Sequence, residues 1–517
     1  MQTLLAYTTA PDQRSGDFEQ LLPIGLCSLH AVLRSQGYPV TLANLSGVSR
    51  SEIMQLLQNG RPDVIGLSQW THNRHTTIAL ARLIKQQLPD CLVILGGGHA
   101  THQAELILQH HPEVDLVVTG EAEQTLPELL DALERKACIT AVAGLVLRQG
   151  RNVHRTAARA PVQQLDKLPY PARYLDDMLY GNQQLQAEFI TSSRGCPAAC
   201  HFCASPAFWG RQVRFRSASS IVDEMRFLRD SFGLIYLSLR DDTFTADRQR
   251  TRALCRELLH HKVKLFWNCQ SRVEAIDTET LHLMRQAGCE CVQLGVESGS
   301  PRILQMLGKN SNPDQIIRAA SLVRQAGLQL SIYLITGIPE EEEADRQLTR
   351  KLVQQIRPDD LQVAPLAYYP GTELFRQAVQ EEKVRADLFE TNLSQAVLAQ
   401  QDGPRQVTRL LAQTSRLRYH VTPAALQRLI QQTGYSAVLA MLLGDALLHA
   451  GNPSAAAAAY QTIISHEPDH PWGWYLRGEL HEQQGALKGA IDCFKKVLTL
   501  VPRHLPSREA LLRLQGT

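Results

Sequence analysis

Three cysteines lie close together in the segment RGCPAACHFC, residues 194–203, at positions Cys196, Cys200 and Cys203. A structural zinc site needs four ligands that close its tetrahedron, and His201 is too near Cys200 in sequence to supply the fourth easily. No further pair at Cys-x2-Cys spacing occurs in the chain, and we expect the remaining cysteines to be packing residues. Three thiolates instead suit a 4Fe–4S cube in which one iron keeps an open position. An open iron can bind a substrate or cofactor directly, so the triplet predicts a reactive metal centre.

The length and composition of the chain limit what can surround this centre. With 517 residues the chain is too long for one core, and we expect about two to four domains. A formal net charge of +2 gives no reason to expect a nucleic-acid partner. We find no apolar run of about 18 residues that would predict a transmembrane segment, and MQTLLAYTTAPDQ lacks the basic start of a signal peptide. We therefore expect a cytoplasmic protein whose cysteines are mostly reduced.

Residues 1–150 alternate between short apolar runs and helical patterns. The apolar runs, which we predict to be buried strands, are TLLAY (3–7), DVIGLS (63–68), LVILGG (92–97) and DLVVTG (115–120). Such alternation predicts an α/β domain, with a parallel sheet covered by helices on both faces. Because ligands of these sheets lie beyond the carboxyl ends of the strands, we expect a cofactor at that edge.

A second alternating region covers residues 185–375. Its six candidate strands are AEFITSS, LIYLSLR, KLFWNC, CVQLGVE, LSIYLITG and LQVAPLAY. Six βα units predict a partial (β/α)6 barrel, TIM-like but not closed by eight strands. The cysteine triplet directly follows the first strand, on the face where barrel enzymes place their chemistry. Between the two regions, residues 151–184 are mixed in composition and carry three prolines, so we expect a linker there.

The C-terminal part of the chain repeats itself with a period of 34 residues. The recurring pairs are Gly444 and Gly478, Ala456 and Ala490, Tyr460 and Phe494, and Pro468 and Pro502. This period and these residue types are typical of tetratricopeptide repeats, with two generic helical hairpins as the alternative. We predict an all-α domain of such repeats over residues 433–517. Two repeats are fewer than an independent array needs, so we expect them to dock on a helical extension, residues 376–432.

The triplet and the motifs that follow it resemble radical S-adenosylmethionine (SAM) enzymes. CPAACHFC fits the Cys-x3-Cys-x2-Cys signature of that family, and LRDDTF (239–244), GVESGS (295–300), TGIPEE (336–341) and LAYYPGTEL (366–374) follow in the family's order. The resemblance implies that the three cysteines hold a 4Fe–4S cluster whose fourth iron binds SAM. It further implies that SAM is contacted by Asp241, Asp242, Arg272, Glu297, Ser298 and Gly337. The alternatives are a helix N-cap for the two aspartates and an ion pair with a surface base for Glu297.

The N-terminal region resembles the cobalamin-binding domain that precedes many radical SAM domains. The matching segments are LPIGLCSLHAVLRSQGYPV, DVIGLSQWT, ILGGGHAT and VVTGEAEQTLPELL. A nucleotide-binding Rossmann domain is the alternative, but no G-x-G-x-x-G follows the first strand. The resemblance implies a Rossmann-like cobalamin-binding domain, in which the cofactor is contacted by Ser68, Trp70, Thr71, Gly96, Gly97, Gly98, His99, Gly120 and Glu121.

The first loop departs from the pattern of classical methylcobalamin domains. Those domains carry Asp-x-His-x-x-Gly, whose histidine binds cobalt from below, whereas TTAPDQRSGDFEQLLP contains no histidine. Trp70, His72 or Asn73 is then the candidate for the lower face of the cofactor. For Trp70 and His72 the alternative is ordinary loop packing or solvent exposure.

Together these resemblances imply a cobalamin-dependent radical SAM C-methyltransferase that acts on an unactivated carbon, through a 5'-deoxyadenosyl radical and methylcobalamin. The implied cofactors are a 4Fe–4S cluster, SAM and cobalamin. The implied partners are a small-molecule or lipid substrate, an electron donor such as flavodoxin or ferredoxin, and a protein partner for the repeats. Two alternatives stay open: a cyclase or rearrangement enzyme with the same cofactors but no methyl transfer, and a partner-binding scaffold whose sites have decayed. The pattern singles out no general acid or base among Tyr333, Tyr368 and Tyr369.

Overall fold

A computed structural model of the chain describes residues 1–9, 21–150, 152–414 and 421–516. The chain divides into two compact units. The first unit contains Met1–Ala187, Gly195–Arg214 and Ala367–Ala399. The second unit contains Glu188–Arg194, Phe215–Leu366 and Gln400–Thr517. The cysteine triplet therefore belongs to the first unit, together with the N-terminal sheet.

The first unit is built on a seven-stranded sheet within the described ranges, in the order β2-β1-β3-β4-β5-β6-β7. Its first five strands in that order run parallel, and the last two pair antiparallel. The strands are β1 (Thr3–Tyr7), β2 (Val40–Asn44), β3 (Val64–Ser68), β4 (Leu92–Gly96), β5 (Leu116–Val118), β6 (Leu145–Gln149) and β7 (Asn152–Arg155). The four strands predicted from apolar runs are present, and three further strands extend the sheet at both edges.

Five helices connect these strands and cover the sheet. They are α1 (Ile24–Ser35), α2 (Arg50–Gly60), α3 (Arg74–Gln87), α4 (Gly98–His110) and α5 (Thr125–Glu134). Each helix buries an apolar stripe, as α3 does with Ile78, Ala81 and Ile84. The α/β prediction for this region is confirmed, with the core between the parallel strands and their helices.

The segment expected to be a linker, residues 151–184, packs on the first sheet in its described part. Asn152–Arg155 forms edge strand β7, and Leu179 bridges to Ala43 of β2. Val162 and Leu175 are buried. The described part of this segment therefore lies against the domain and contributes a strand to its sheet.

The second unit contains a six-stranded parallel sheet, ordered β8-β11-β12-β13-β14-β15 across the part of the chain that the structure describes. The strands pair in chain order, as expected for a partial barrel, and all six candidate strands are present. They are β8 (Phe189–Ile190), β11 (Tyr236–Leu239), β12 (Phe266–Ser271), β13 (Cys289–Glu297), β14 (Gln329–Thr336) and β15 (Asp360–Pro365). Two short strands, β9 (Ser193–Arg194) and β10 (Arg214–Phe215), lie at the two ends of the cysteine-bearing loop.

Further helices lie between residue 183 and the start of the repeats. They are α6 (Gln183–Ala187), α7 (Ser205–Trp209), α8 (Ala218–Phe232), α9 (Arg248–His260), α10 (Thr278–Gln286), α11 (Pro301–Met306), α12 (Pro313–Gln325), α13 (Glu343–Ile356), α14 (Glu373–Gln380), α15 (Leu388–Thr391), α16 (Gly403–Thr414) and α17 (Pro423–Thr433). Side-chain caps begin several of them, such as Ser217 on α8 and Asn312 on α12. Helices α14 and α15 belong to the first unit, and α16 and α17 to the second.

The C-terminal repeat region forms paired helices, as predicted. They are α18 (Ala437–His449), α19 (Pro453–His466), α20 (Pro471–Gln483), α21 (Leu487–Leu500) and α22 (Leu505–Gln515). A Cβ on Gly444 would lie 2.1 Å from Cε1 of Tyr460, and one on Gly478 would lie 2.7 Å from Cε1 of Phe494. The repeated glycines are therefore required because an aromatic ring of the paired helix packs directly on the backbone.

The repeats pack on the barrel within the second unit. Trp472 of α20 stacks on Phe266 of β12 with ring centroids 5.3 Å apart, and its indole N–H donates to the carbonyl of Ile235 at 2.7 Å. Lys264 pairs with Asp469. No helix within the described residues is long and apolar enough to cross a membrane.

Candidate cofactor sites

The cluster loop, which we define as residues 195–214, carries the three cysteines between Gly195 and Gln212, whose backbones approach each other closely. Gly195 has φ +99°, and a Cβ there would lie 2.6 Å from the carbonyl oxygen of Gln212, so only glycine fits. The amide of Cys203 donates to the carbonyl of Cys200 at 3.3 Å and closes a turn between these two ligands. All three thiols are free of disulfides; Cys196 is buried, and Cys200 and Cys203 are partly exposed.

The three thiols fit a cube of irons. Among the described residues no three His, Cys, Asp or Glu side chains converge in a way that could hold a metal ion. In a 4Fe–4S cluster each cysteine binds a different iron, so the thiolates need not meet at one point. Three thiols on one short loop, one buried and two partly exposed, match that requirement.

Asp241, predicted to contact SAM, holds the backbone that leads into the cluster loop. Its side chain is 1% exposed and accepts hydrogen bonds from the amides of Ser192 and Ser193 at 2.6 and 3.2 Å. It also accepts from both serine hydroxyls. Four donors thus converge on one buried carboxylate. Asp241 therefore positions the residues just before Gly195, and the neighbouring Asp242 is exposed.

Glu121, predicted to line the cobalamin slot, is paired with the far end of the cluster loop. Its carboxylate accepts from the guanidinium of Arg214 and from the amide of Val162, the latter at 3.0 Å. The side chains of Glu121 and Arg214 are each only 4% exposed. This buried ion pair joins the loop after β5 to the end of the cluster loop within the first unit.

The glycine run after β4 packs on the loop after β3. Gly97 has φ +102°, and a Cβ there would lie 2.7 Å from the carbonyl oxygen of Gln69. A Cβ on Gly98 would lie 3.2 Å from the indole of Trp70, while one on Gly96 would meet only the carbonyl of Val118 at 3.7 Å. The glycines thus let two strand-end loops touch, which is how the sequence brings residues 68–71 and 96–99 together at the carboxyl edge of the sheet.

Side chains on these loops leave polar groups for a ligand. The indole Nε1 of Trp70 is buried without a hydrogen-bond partner among the described residues, and such groups are costly unless a ligand or water satisfies them. Around Gly120, at φ +71°, a Cβ would meet nothing within 4 Å. An orphaned donor and an open backbone position fit a cofactor at this edge.

His99 lies inside this edge as a neutral imidazole. It is 2% exposed and shares a hydrogen bond of 3.1 Å between Nδ1 and the hydroxyl of Thr71. Burial lowers the pKa of His99 to about 3, with nearby cations adding to the effect. Thr71 and Ser68 are also buried, so these three predicted contacts lie together where β3 and β4 end.

The three candidates for the lower face of cobalamin differ in their surroundings. Asn73 is fully buried and its side chain bonds the backbone of Thr8, Ser68 and Trp70, which commits it to holding the loop. His72 is exposed, and its Nε2 lies 2.8 Å from the hydroxyl of Tyr7. The first loop, which contains no histidine, covers residues 8–23, and its residues 10–20 lie outside the described residues.

At the barrel edge, Glu297 shows the backbone strain that often marks a functional position. It has φ +66° beside a register shift between β13 and β14. Its carboxylate is 3.1 Å from Nζ of Lys309, which also donates to the carbonyl of Gly295 at 2.8 Å. A buried cation thus lies against the carboxylate of Glu297 at the end of β13.

The other predicted SAM contacts have structural partners of their own. Ser298 is fully buried, and its hydroxyl lies 3.2 Å from that of Thr349 and accepts from the amide of Ser300. Gly337, at φ +69°, donates to Glu341 and to Gln406. Arg272 lies 3.2 Å from Glu274. The roles of these residues toward SAM stay predictions.

Polar side chains on one face of the barrel sheet escaped the sequence analysis. Tyr236 donates to Glu290 at 2.6 Å and accepts from Asn268 at 2.7 Å, and Asn268 accepts from Ser238 at 2.7 Å. Burial raises the pKa of Glu290 to about 7. Barrel interiors are usually filled by Val, Ile and Leu. The sequence feature that could have identified these residues is the alternation in IYLSLR, where Tyr236 and Ser238 share one face of the strand between buried leucines.

A second polar group lies one register step further along the strands. Tyr333 donates to Gln293 at 2.7 Å and accepts from Gln270 at 3.3 Å, and Arg240 is a further partner of its hydroxyl. The guanidinium of Arg240 lies 5.1 Å from the ring centroid of Phe189. Burial raises the pKa of Tyr333, so it is a neutral hydrogen-bond donor here.

Three family models match the chain in succession. Residues 19–130 match the B12 binding domain, residues 190–353 match the Radical SAM superfamily, and residues 441–504 match a tetratricopeptide repeat. These matches agree with the fold and the cofactors that the sequence predicts: a 4Fe–4S cluster and SAM for the barrel, and cobalamin for the first sheet.

Two curated relatives cover most of the chain. The chain is 29% identical over 359 residues to an uncharacterized methyltransferase of Pyrococcus horikoshii, covering 69% of this chain and 78% of the relative. It is 28% identical over 426 residues to the anaerobic magnesium-protoporphyrin IX monomethyl ester cyclase of Synechocystis sp., covering 80% of this chain and 84% of the relative.

The fold is also similar to that of a solved structure. The radical S-adenosylmethionine methyltransferase TsrM from Kitasatospora setae, with cobalamin and a 4Fe–4S cluster bound, superposes with a TM-score of 0.64 at 15% identity. The alignment covers 82% of this chain and 90% of that one. At this identity the likeness concerns the fold.

Proposed function

The chain belongs to the cobalamin-dependent radical SAM enzymes, and from that premise we propose that it is a C-methyltransferase acting on an unactivated carbon of a small-molecule or lipid substrate. The observation that carries the proposal is that one compact unit contains both the loop with Cys196, Cys200 and Cys203 and the sheet whose edge holds Trp70 and His99. When bound, the cluster and SAM supply a hydrogen-abstracting radical and cobalamin supplies a methyl group.

The chain's own residues bind and orient these groups. Cys196, Cys200 and Cys203 would hold the cluster, and Asp241 holds the backbone that leads into their loop. Glu297 and its partner Lys309 present a buried charge pair at the end of β13, where a carboxylate can accept hydrogen bonds from hydroxyl or ammonium groups. Neutral His99 with Thr71 lines the edge that would take cobalamin, and so does the indole N–H of Trp70, which has no hydrogen-bond partner among the described residues.

Anaerobic reconstitution with iron, sulfide and hydroxocobalamin tests the proposal. We expect visible absorption from both groups and, with a chemical reductant and SAM, formation of 5'-deoxyadenosine. Cys200→Ala should lose the cluster absorption and this cleavage, because two thiolates cannot hold three irons. The matched control is Cys138→Ala, which changes an exposed cysteine outside the cluster loop and should keep both. If the wild-type protein takes up neither iron nor cobalamin, the proposal that the chain is an enzyme with these cofactors is wrong.

The products separate methyl transfer from its alternative. A methyltransferase releases S-adenosylhomocysteine as well as 5'-deoxyadenosine, and SAM labelled in its methyl group should give a labelled product by mass spectrometry. The match to a cyclase over 80% of the chain favours ring closure as the second candidate. Release of 5'-deoxyadenosine without S-adenosylhomocysteine would support that second function.

We further propose that the enzyme works in the cytoplasm, where thiols and an iron–sulfur cluster stay reduced. A flavodoxin or ferredoxin would supply the electron, and the repeats would take a protein partner. Replacing the chemical reductant by a reduced flavodoxin or ferredoxin tests the donor, with 5'-deoxyadenosine formation as the readout.

A further inference from the structure

Arg74, at the first position of α3, uses every one of its side-chain donors on backbone carbonyls. Its guanidinium donates to the carbonyls of Phe389, Asn392, Ser394 and Gln395 at 2.9, 2.6, 2.6 and 2.9 Å. The fifth bond, of 2.6 Å, goes to the carbonyl of Thr71. A guanidinium has five N–H donors. All the hydrogen bonds that the Arg74 side chain can donate therefore go to carbonyls of one loop and of one distant segment.

The segment that Arg74 holds, residues 388–395, we name the strap. It contains the single-turn helix α15, whose last carbonyls have no partner within so short a helix. Arg74 satisfies the carbonyls of Phe389 and Asn392, and His75 lies with Nε2 2.8 Å from the latter. The strap therefore depends on α3 for the hydrogen bonds that its own turn cannot make.

The position of Arg74 is otherwise unfavourable. A cation at a helix N-terminus opposes the helix dipole, and this side chain is 3% exposed. Burial lowers the pKa of Arg74 to about 10, which leaves it charged at neutral pH. A buried cation at the wrong end of a helix needs strong compensation, and the carbonyls of the strap and of Thr71 supply it.

The strap also contacts the start of α4, which follows β4 at the same edge of the sheet. The ring of Phe389 meets the imidazole of His99 edge to face, with centroids 5.3 Å apart. His99 is in turn bonded to Thr71. The strap therefore touches the loop after β3 through Arg74 and the start of α4, just after β4, through His99. These are the two segments that would hold cobalamin.

The same segment leads to the cluster loop within the first unit. Phe389 packs on Phe375 of α14 with ring centroids 4.8 Å apart. The amide of Leu374, next to Phe375, donates to the carbonyl of His201 at 2.8 Å, between Cys200 and Cys203. One continuous stretch of chain thus contacts the cobalamin edge at one end and the cluster loop at the other.

We propose that Arg74 is a positioning residue, which fastens the strap to the loop after β3 and thereby holds Trp70, Thr71 and His99 in place for cobalamin. This inference rests on the proposed function, since it assigns cobalamin to that edge. Arg74 itself has no donor left for a ligand and acts through the loop and the strap.

Arg74→Lys tests the inference, because an ammonium keeps the charge but has only three donors. We expect hydroxocobalamin to bind about tenfold more weakly by its visible absorption, a loss on the scale of one strong charged hydrogen bond. Hydrogen exchange should rise in residues 69–73 and 388–395, and the paramagnetic resonance spectrum of reduced bound cobalamin should change. Iron content after reconstitution should stay at the wild-type level.

Arg82→Lys is the matched control, since Arg82 lies on the same helix, 57% exposed and paired with Glu113. It should leave affinity, exchange and spectrum unchanged. A second variant, Phe389→Leu, keeps the backbone carbonyls but removes the ring contact with His99. It should weaken binding in the same direction, and it tests the strap if Arg74→Lys does not fold.

The outcomes separate this inference from the proposed function. Wild-type protein that binds no hydroxocobalamin refutes the proposed function, and the positioning role toward cobalamin fails with it. Wild-type binding with an unchanged dissociation constant and spectrum in Arg74→Lys overturns the positioning role alone. The positioning role is also overturned if Arg74→Lys lowers only the melting temperature, because that would be a purely structural effect.

Discussion

At the residue scale, three carboxylates at the edges of the two sheets accept hydrogen bonds or form ion pairs with specific side chains and backbone amides. Asp241 accepts four hydrogen bonds from two serines, Glu121 pairs with Arg214, and Glu297 pairs with Lys309. Each of these carboxylates is buried together with its partners. Glu290 differs, since its main partner is the neutral hydroxyl of Tyr236 and burial raises its pKa to about 7.

Glu290 should make stability depend on pH. Its pKa is near 4.5 when unfolded and about 7 when folded, so the folded state keeps the proton in this window while the unfolded chain releases it. The free energy of unfolding should therefore fall as pH rises from about 4.5 to about 7. Glu290→Gln should flatten this part of the profile in urea unfolding. The control Glu509→Gln changes an exposed residue and should leave the profile unchanged. If the free energy of unfolding of the wild-type protein rises between about pH 4.5 and 7, the pKa assigned to Glu290 is wrong.

At the element scale, residues remote in sequence hold the end of the cluster loop and, separately, the backbone that precedes it. The backbone before Gly195 is held by Asp241 of the segment after β11, and Arg214 at the other end is held by Glu121 of the segment after β5. Between them, three cysteines lie on a loop whose only helix, in its described residues, is the short α7. Its order therefore depends on these ties more than on local structure.

Breaking the tie at Arg214 should loosen the loop. Glu121→Gln leaves a buried cation without its countercharge, which typically costs about 3–5 kcal/mol. We expect a lower melting temperature and faster hydrogen exchange over residues 195–214. Glu121→Gln combined with Arg214→Met should recover part of the loss, because the unpaired charge is gone.

The exposed pair of Arg155 and Glu105 gives the control for that experiment. Glu105→Gln should change the free energy of unfolding by less than about 1 kcal/mol. An equal loss in Glu105→Gln and Glu121→Gln would show that burial of the pair does not matter and would contradict the role given to Glu121.

At the scale of the whole molecule, the repeats are part of the second unit. Trp472 and Lys264 join α20 and its preceding turn to the amino ends of barrel strands. The hydrophobic cluster there contains Phe266 together with Val438, Leu439 and other residues of α18. The repeats thus cover the end of the barrel opposite to the strand ends that carry Glu297 and Gly337.

Trp472→Ala should uncouple the repeats from the barrel. Trp472 is partly buried, and truncating it removes its stacking on Phe266 and its hydrogen bond to the carbonyl of Ile235. We expect calorimetry to resolve two unfolding transitions in place of one. Trp474→Ala removes an indole that bonds within the repeats, to the carbonyl of Pro468, and should keep a single transition. Two transitions in both variants would contradict specific docking through Trp472.

Most of the fold is readable from the sequence because strongly buried strands are long apolar runs. The six barrel strands and four of the first sheet carry such runs. Strand β2 and the antiparallel β6 and β7 were missed, since β7 has no buried residue and β6 ends in Arg148 and Gln149. Strands β6 and β7 lie at one side of the sheet and are partly solvated, so their pattern is too weak to separate from loops.

The sequence by itself determined the chemistry of the metal centre, the order of the domains' motifs and the repeats. Ligand number and spacing in CPAACHFC, and the 34-residue period, are local properties of the chain. Only the tertiary structure decided which partners the polar residues have: Asp241 with the serines, Glu121 with Arg214, Tyr236 with Glu290, and Arg74 with the strap. Such pairs join positions up to 321 residues apart. Whether a charged side chain binds a ligand or the backbone depends on its burial and on the hydrogen-bond donors that folding brings close to it. Neither its burial nor its donors can be recognised from a local sequence pattern.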